Sequence, residues 1–182
     1  FIAACGGNSE SPETDNSSSS VVESLPRKGS AIAPGSLFEA RIEHTATLLA
    51  DGRVLAAGGV GRTDVELASS ELYDPDSGTW SATASMNQPR HRHTATLFAD
   101  GRVLALGGKV AQSGLNVAEI YDSASDTWTL LSPMTTPRWS HTATLLPNGT
   151  VLVTGGRDGT AFWNTAEVYD PATDSLTTVP GM

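Results

Sequence analysis

Short apolar stretches punctuate the chain in a fixed order. "TATLL" at 45–49 is rich in β-formers, "VLAAGG" from Val54 is continuously small and apolar, and "SSELYD" at 69–74 alternates in character. "TWSAT" at 79–83 follows a turn containing Pro75 and Gly78. Runs this short, bounded by Asp-Gly or Pro-Asp-Ser-Gly, predict strands rather than helices. Asp51-Gly52 marks a tight hairpin, because such turns need positive φ. The small-residue run ending at Gly58-Gly59 predicts a strand covered on both faces at a crowded position. The unit reads as four strands, with "TWSAT" outermost.

That unit recurs. "HTATLLADGRVLAAGG" from His44 returns as "HTATLFADGRVLALGG" from His93 and "HTATLLPNGTVLVTGG" from His141. Gly58-Gly59, Gly107-Gly108 and Gly155-Gly156 close these stretches, and Tyr73, Tyr121 and Tyr169 follow at intervals of 48. Trp80 and Trp128 match each other, with Leu176 in the third copy, and Met86, Met134 and Met182 end the units. A period near 48 with a double glycine predicts a β-propeller, one four-stranded blade per repeat. The units run 41–86, 87–134 and 135–182.

The double glycine, the downstream Tyr and the Trp seven residues later resemble the kelch family, over the whole stretch 41–182. The wording is similar to bacterial kelch proteins and to the propeller of galactose oxidase-like proteins. The resemblance implies an all-β propeller, with these three blades as part of a six- or seven-bladed ring. Residues 30–40 align with the "TWSAT" region and are expected to supply an outer strand of a closing blade.

Most repeated residues serve the fold. The glycines answer positive φ and close approach near the axis. Tyr73, Tyr121, Tyr169, Trp80 and Trp128 are expected to pack between blades. Arg41, Arg90 and Arg138 are expected to bond acids of adjacent blades. His44, His93 and His141 occupy equivalent positions in different blades, too dispersed for one metal ion, and are expected to bond neighbouring backbone.

Ligand recognition therefore falls to what does not repeat. Loops 60–68, 109–117 and 157–165 and linkers 87–92 and 135–140 emerge on one face. They offer Arg62, Asp64, His91, Gln112, Trp139, Arg157, Asp158, Phe162 and Trp163, and exposed aromatics beside Asp, Arg and Gln suit a peptide or glycan.

Charge narrows the partners. Twenty acidic against eleven basic residues give a net charge of -9, which argues against nucleic acid. The single cysteine, Cys5, excludes an intrachain disulfide and multi-cysteine zinc sites. Ile2-Ala3-Ala4-Cys5 resembles the lipobox of bacterial lipoproteins and stands before a polar, Ser-rich stretch at 6–29. That resemblance implies lipid on Cys5, a signal-peptide remnant at 1–5, a disordered tether at 6–29, and a lipid-anchored place in the bacterial cell envelope. The chain is thus expected to be a non-enzymatic propeller that binds a protein or glycan, without cofactor or metal, and meets membrane only through its lipid. The alternative is a galactose oxidase-like or other carbohydrate-active kelch enzyme whose catalytic residues lie outside these 182 positions.

Overall fold

A computed structural model describes residues 35–179. Cys5, the 6–29 tether and Met182 lie outside the described residues. The first unit runs β1 (Arg41–Ile42), β2 (Thr45–Leu48), β3 (Val54–Ala57), β4 (Val60–Gly61), β5 (Ser70–Asp74) and β6 (Thr79–Thr83). The second runs β7 (Thr94–Leu97), β8 (Val103–Leu106), β9 (Lys109–Val110), β10 (Ser113–Gly114), β11 (Ala118–Asp122) and β12 (Thr127–Leu130). The third runs β13 (Thr142–Leu145), β14 (Val151–Thr154), β15 (Arg157–Asp158), β16 (Ala161–Phe162), β17 (Ala166–Asp170) and β18 (Ser175–Val179).

Each unit folds into one antiparallel four-stranded sheet, in the orders β2-β3-β5-β6, β7-β8-β11-β12 and β13-β14-β17-β18. These are the blades of an all-β kelch-type propeller. The innermost strands β2, β7 and β13 lie side by side. Register repeats with the sequence: Val54 faces Tyr73, Val103 faces Tyr121 and Val151 faces Tyr169. The seven-residue Tyr-to-Trp spacing is the same rule, since Tyr73 pairs with Trp80 and Tyr121 with Trp128 across one hairpin. Both ring pairs stand 5.2 Å apart, close enough for aromatic attraction.

The core lies between blades. In β8, Val103 and Ala105 join Leu55, Leu72 and Tyr121 against blade one, whereas Leu104 and Leu106 join Ile120, Val153 and Tyr169 against blade three. Successive strand residues point to opposite faces, so a strand buried on both faces must be apolar throughout. That is why the middle repeat reads "VLAL".

A buried arginine links each blade to the segment that enters it. Arg90 Nη1 donates to the Gly107 and Val117 carbonyls, and Nη2 is ion-paired with Glu119, all within the second unit. Its own backbone belongs to the preceding blade: its N–H donates to Leu67 O, and its carbonyl accepts from Gly59 N–H. Arg138 repeats this, with its backbone on Leu115 and Gly108 and its guanidinium on Gly155 O, Thr165 O and Glu167. Arg41 likewise holds Gly58 O, Ser69 O and Glu71. The expected acid from an adjacent blade is therefore corrected. The acid sits in the arginine's own unit, and the main chain bridges the blades.

Each of these glutamates also accepts backbone N–H groups from the linker. Glu119 takes Asn87 and Gln88, Glu167 takes Thr135 and Thr136, and Glu71 takes Phe38 and Glu39. Residues 35–40 are thus the equivalent of an interblade linker. This described part of the 30–40 stretch contains no strand, and 30–34 lie outside the described residues.

The outer rim has its own ties. Asp126, with φ of 52°, turns its carboxylate back to Ala84 N–H, the Thr83 hydroxyl and Tyr121 Oη. Asp174 does the same to Ser132 N–H and Tyr169 Oη. Trp128 Nε1 adds a bond to Ala84 O, so Tyr121 and Trp128 both reach blade one. In blade one, Gly78 occupies the corresponding turn, and its carbonyl accepts from Gly35 N–H. Tyr73 and Trp80 remain half-buried there.

The glycine pairs serve the linkers rather than the axis. All six have φ between 58° and 102°. A Cβ on Gly58 would stand 2.5 Å from Arg90 O and 3.0 Å from the His93 ring. On Gly107 it would collide with Arg138 O and the His141 ring. Gly59, Gly108 and Gly156 leave room for the Cβ atoms of His44, His93 and His141. The His93 and His141 rings are therefore each seated between two glycines. His93 Nε2 lies 3.0 Å from Thr45 Oγ1, and His141 Nε2 lies 2.9 Å from Thr94 Oγ1. The partner of Nε2 is a hydroxyl on the preceding inner strand, because the ring reaches past the sheet edge to the neighbouring blade; at His141 a backbone interaction with Arg138 accompanies it. Burial, reinforced by the nearby arginine, holds His93 down at about 3 and His141 at about 4.

Two outcomes follow from these contacts. Among the described residues, a Cβ on Gly155 would meet only Trp163 O, at 3.7 Å, where one on Gly107 meets a linker carbonyl and a ring. In urea denaturation of the 182-residue chain, Gly155→Ala is expected to cost about 1–2 kcal/mol, from positive φ alone. Gly107→Ala is expected to cost at least about 2 kcal/mol more, from overpacking against backbone. Equal losses would reject the linker-seat account.

The second outcome concerns acid. Below an unfolded histidine pKa near 6.5, the unfolded chain takes up protons that folded His93 and His141 refuse. Stability therefore falls as pH drops below about 6.5 and levels off near the folded values, by at most roughly 1.4 kcal/mol per pH unit for each ring. Denaturant stability measured between about pH 6 and 4.5 should decline less steeply in His141→Gln than in the parent. An unchanged slope would remove His141 from the acid response.

Candidate functional site

The variable segments assemble at one end of the blades. The residue two before each repeat histidine meets the residue just after each glycine pair, as a short antiparallel contact. Ile42 pairs with Val60, His91 with Lys109, and Trp139 with Arg157. Neighbouring linkers are also joined. Glu43, Arg92 and Ser140 all have φ between 51° and 56°. Arg92 N–H donates to Glu43 O, and Ser140 N–H donates to Arg92 O.

Trp139 is the centre of this face. It is 3% exposed, and three cations surround its ring. The Arg157 guanidinium carbon lies 3.8 Å from the centroid, Lys109 Nζ 4.8 Å and the Arg92 guanidinium carbon 5.2 Å. Arg157 also approaches Phe162 at 5.7 Å. The ring quadrupole attracts cations over its face, which favours this clustering. Among the described residues, Trp139 Nε1 and Arg157 Nε are buried without a hydrogen-bond partner.

Arg92 is neutralised by Glu43 through two bonds of 2.8 and 2.5 Å, and that hydrogen bonding holds the Glu43 carboxyl below its ordinary range. His91 Nε2 lies 3.6 Å from the same carboxylate, yet burial lowers the His91 pKa despite the opposing pull of Glu43. At neutral pH this contact is polar rather than ionic. Glu66 and Asp158, also on this face, hold backbone. Glu66 accepts from Ala111 N–H at 2.7 Å, and Asp158 from Gly114 N–H at 2.8 Å. Among the described residues, no carboxylate lies within 4.0 Å of Lys109 or Arg157.

The structure brings together His91, Trp139, Arg157, Asp158 and Phe162. Arg62 and Asp64 are exposed at the tip of the blade-one loop, and Gln112 at the tip between β9 and β10. Trp163 turns inward, half-buried, and donates Nε1 to Pro137 O at 3.0 Å. Two of the expected exposed aromatics are corrected accordingly. Trp139 is roofed by cations, Trp163 is spent on the linker, and Phe162, 77% exposed, is the aromatic open to solvent. Sequence reasoning passed over Lys109 and Arg92. Their signal was present, since the position after the glycines is Val60, Lys109 and Arg157 in turn.

The opposite end offers less. Asp51 pairs with Arg53, and Asp100 with Arg102, each across its own hairpin. A groove lined by Phe98, Asp100, Arg102 and Pro171 therefore presents charges already matched. The repeat histidines lie in different blades, and His93 and His141 are each bonded to a threonine of the preceding one. No cluster of three or more His, Cys, Asp or Glu side chains suited to a metal occurs among the described residues.

No curated protein matches the chain. The family model described as the kelch motif matches residues 89–135 and 138–182, just over half of the sequence. Those segments are the second and third units with their linkers, and the first unit repeats their register strand for strand. The chain belongs to the kelch-repeat family.

Proposed function

We propose that this protein is a non-enzymatic binding module that recognises a peptide segment of another protein through the loop face around Trp139. Kelch propellers generally mediate protein interactions. The observation that carries the reading is the division of labour in the chain. The blade framework repeats almost residue for residue, while the segments around Trp139 differ between units and gather at one end. Interlocked loops on a rigid scaffold favour binding, because little ordering entropy remains to be lost. A glycan is the weaker fit, since Trp139 and Trp163 are withdrawn as stacking platforms. The lipobox-like "IAAC" supports tethering through lipid on Cys5 at the bacterial cell envelope.

Panning a random-peptide display library on the full chain should enrich binders. Replacing 109–117 by a Gly-Ser loop should abolish their binding, and Asp100→Ser with Arg102→Ser should leave it intact. Enrichment that ignores the loop graft, or no enrichment, would overturn the loop-face reading. Fatty-acid labelling in a bacterial host tests the tether separately: Cys5→Ser is expected to lose the label, and equal labelling of both forms rejects lipid attachment at Cys5.

A further inference from the structure

We infer that Lys109 and Arg157 form a subsite for a carboxylate of an acidic peptide, with Phe162 beside it for an apolar neighbour in that peptide. The inference rests on the loop-face reading above and deepens it. Both cations are held against one indole ring, so their charges lie within about 9 Å of each other. Neither has a carboxylate within 4.0 Å among the described residues. This is unusual within a chain of net charge -9, where the other described arginines, apart from Arg62 at an exposed loop tip, are each matched to an acid.

The acids that could have matched these two cations are engaged elsewhere. Glu43 is bound to Arg92, Glu66 to Ala111 N–H and Asp158 to Gly114 N–H. Glu43 and Glu66 act on Lys109 only from beyond contact distance. Two like charges fixed together with no carboxylate in contact repel, and an incoming carboxylate relieves that repulsion while gaining charge-assisted hydrogen bonds. Arg157 is further fixed by stacking on Trp139 and lying near Phe162, so its guanidinium is oriented before a ligand arrives. Phe162 is 77% exposed next to this charge, and burying it favours an apolar residue adjacent to the acidic one. Net negative charge elsewhere on the protein repels diffuse polyanions, which favours a short acidic segment docking locally.

The test uses the full chain and fluorescence anisotropy with labelled Gly-Glu-Leu-Glu-Glu-Gly, its glutamine-for-glutamate twin, a lysine-for-glutamate twin and a polygalacturonate oligomer. The acidic peptide is expected to bind at least roughly tenfold tighter than either twin or the acidic sugar, and to weaken as salt rises. Lys109→Gln and Arg157→Gln are each expected to weaken it roughly fivefold or more, without lowering the melting temperature. Should Arg157→Gln unfold the protein, Lys109→Gln and the salt series still decide. Equal binding of acidic and neutral peptides, tighter binding of the sugar, or an unaffected Lys109→Gln variant each overturns the subsite. If a neutral or basic peptide binds and the 109–117 graft abolishes it, the loop-face reading survives and the acidic subsite fails. If no peptide of any charge binds, both fail.

Discussion

A guanidinium with no exposure to water is the constraint on which the blades depend. Arg90 and Arg138 are each fully buried, and each must find acceptors for its charge inside the protein. A buried ion deprived of its partner costs about 3–5 kcal/mol, so these acceptors cannot drift. The two carbonyls and one carboxylate that receive each arginine fix the strand ends on which the linker rests. The linker's own main chain is bound to the preceding blade. Charge satisfaction and blade spacing are therefore one requirement. The glycine pairs belong to it too, because the arginine carbonyl needs the space a side chain would fill.

The loop face inherits its geometry from that requirement. The residue after each buried arginine pairs with the residue after the glycines, which places His91 against Lys109 and Trp139 against Arg157. Adjacent blades thus deliver their variable side chains to a common spot without any loop having to be long. Trp139 acts there as an internal surface on which charges are arranged. Kelch architecture supplies the positions, and the identities at 60, 109 and 157 distinguish one unit's chemistry from the next.

Much of the fold was legible in the sequence because repetition isolates it. The four strands, the hairpin glycines and the Tyr–Trp recurrence all follow from local pattern and spacing, whereas the pairing of those rings across one hairpin came from the fold. What pattern could not supply was partnership across units. The arginine's acid lies 29 or 30 residues away in its own unit, and the histidine's threonine lies 47 or 48 residues back in the previous one. The site was legible by region and less so by residue. Aromatic character suggested exposure for Trp139, yet three nearby cations cover it, and cation–aromatic clustering has no signature in linear spacing. Lys109 reads as one more charged loop residue until the fold shows it on Trp139 with no contacting carboxylate among the described residues.

The outer rim closes its seams in two different materials. Between blades one and two, and between two and three, the contact is a side chain: Asp126 or Asp174 reaching back across the gap. Before blade one, among the described residues, it is main chain to main chain, Gly35 N–H to the Gly78 carbonyl. A side-chain clasp can be strengthened, loosened or lost by one codon change, whereas a peptide-to-peptide clasp survives almost any substitution that keeps the local path. At the rim the inner seams are therefore individually tunable by mutation, whereas the entry segment takes its side-chain grip further in, from Glu71 and Arg41. Sequence drift confined to the rim would loosen the spaces between blades and leave Gly35 in place, while drift that reached Glu71 or Arg41 would release the entry segment.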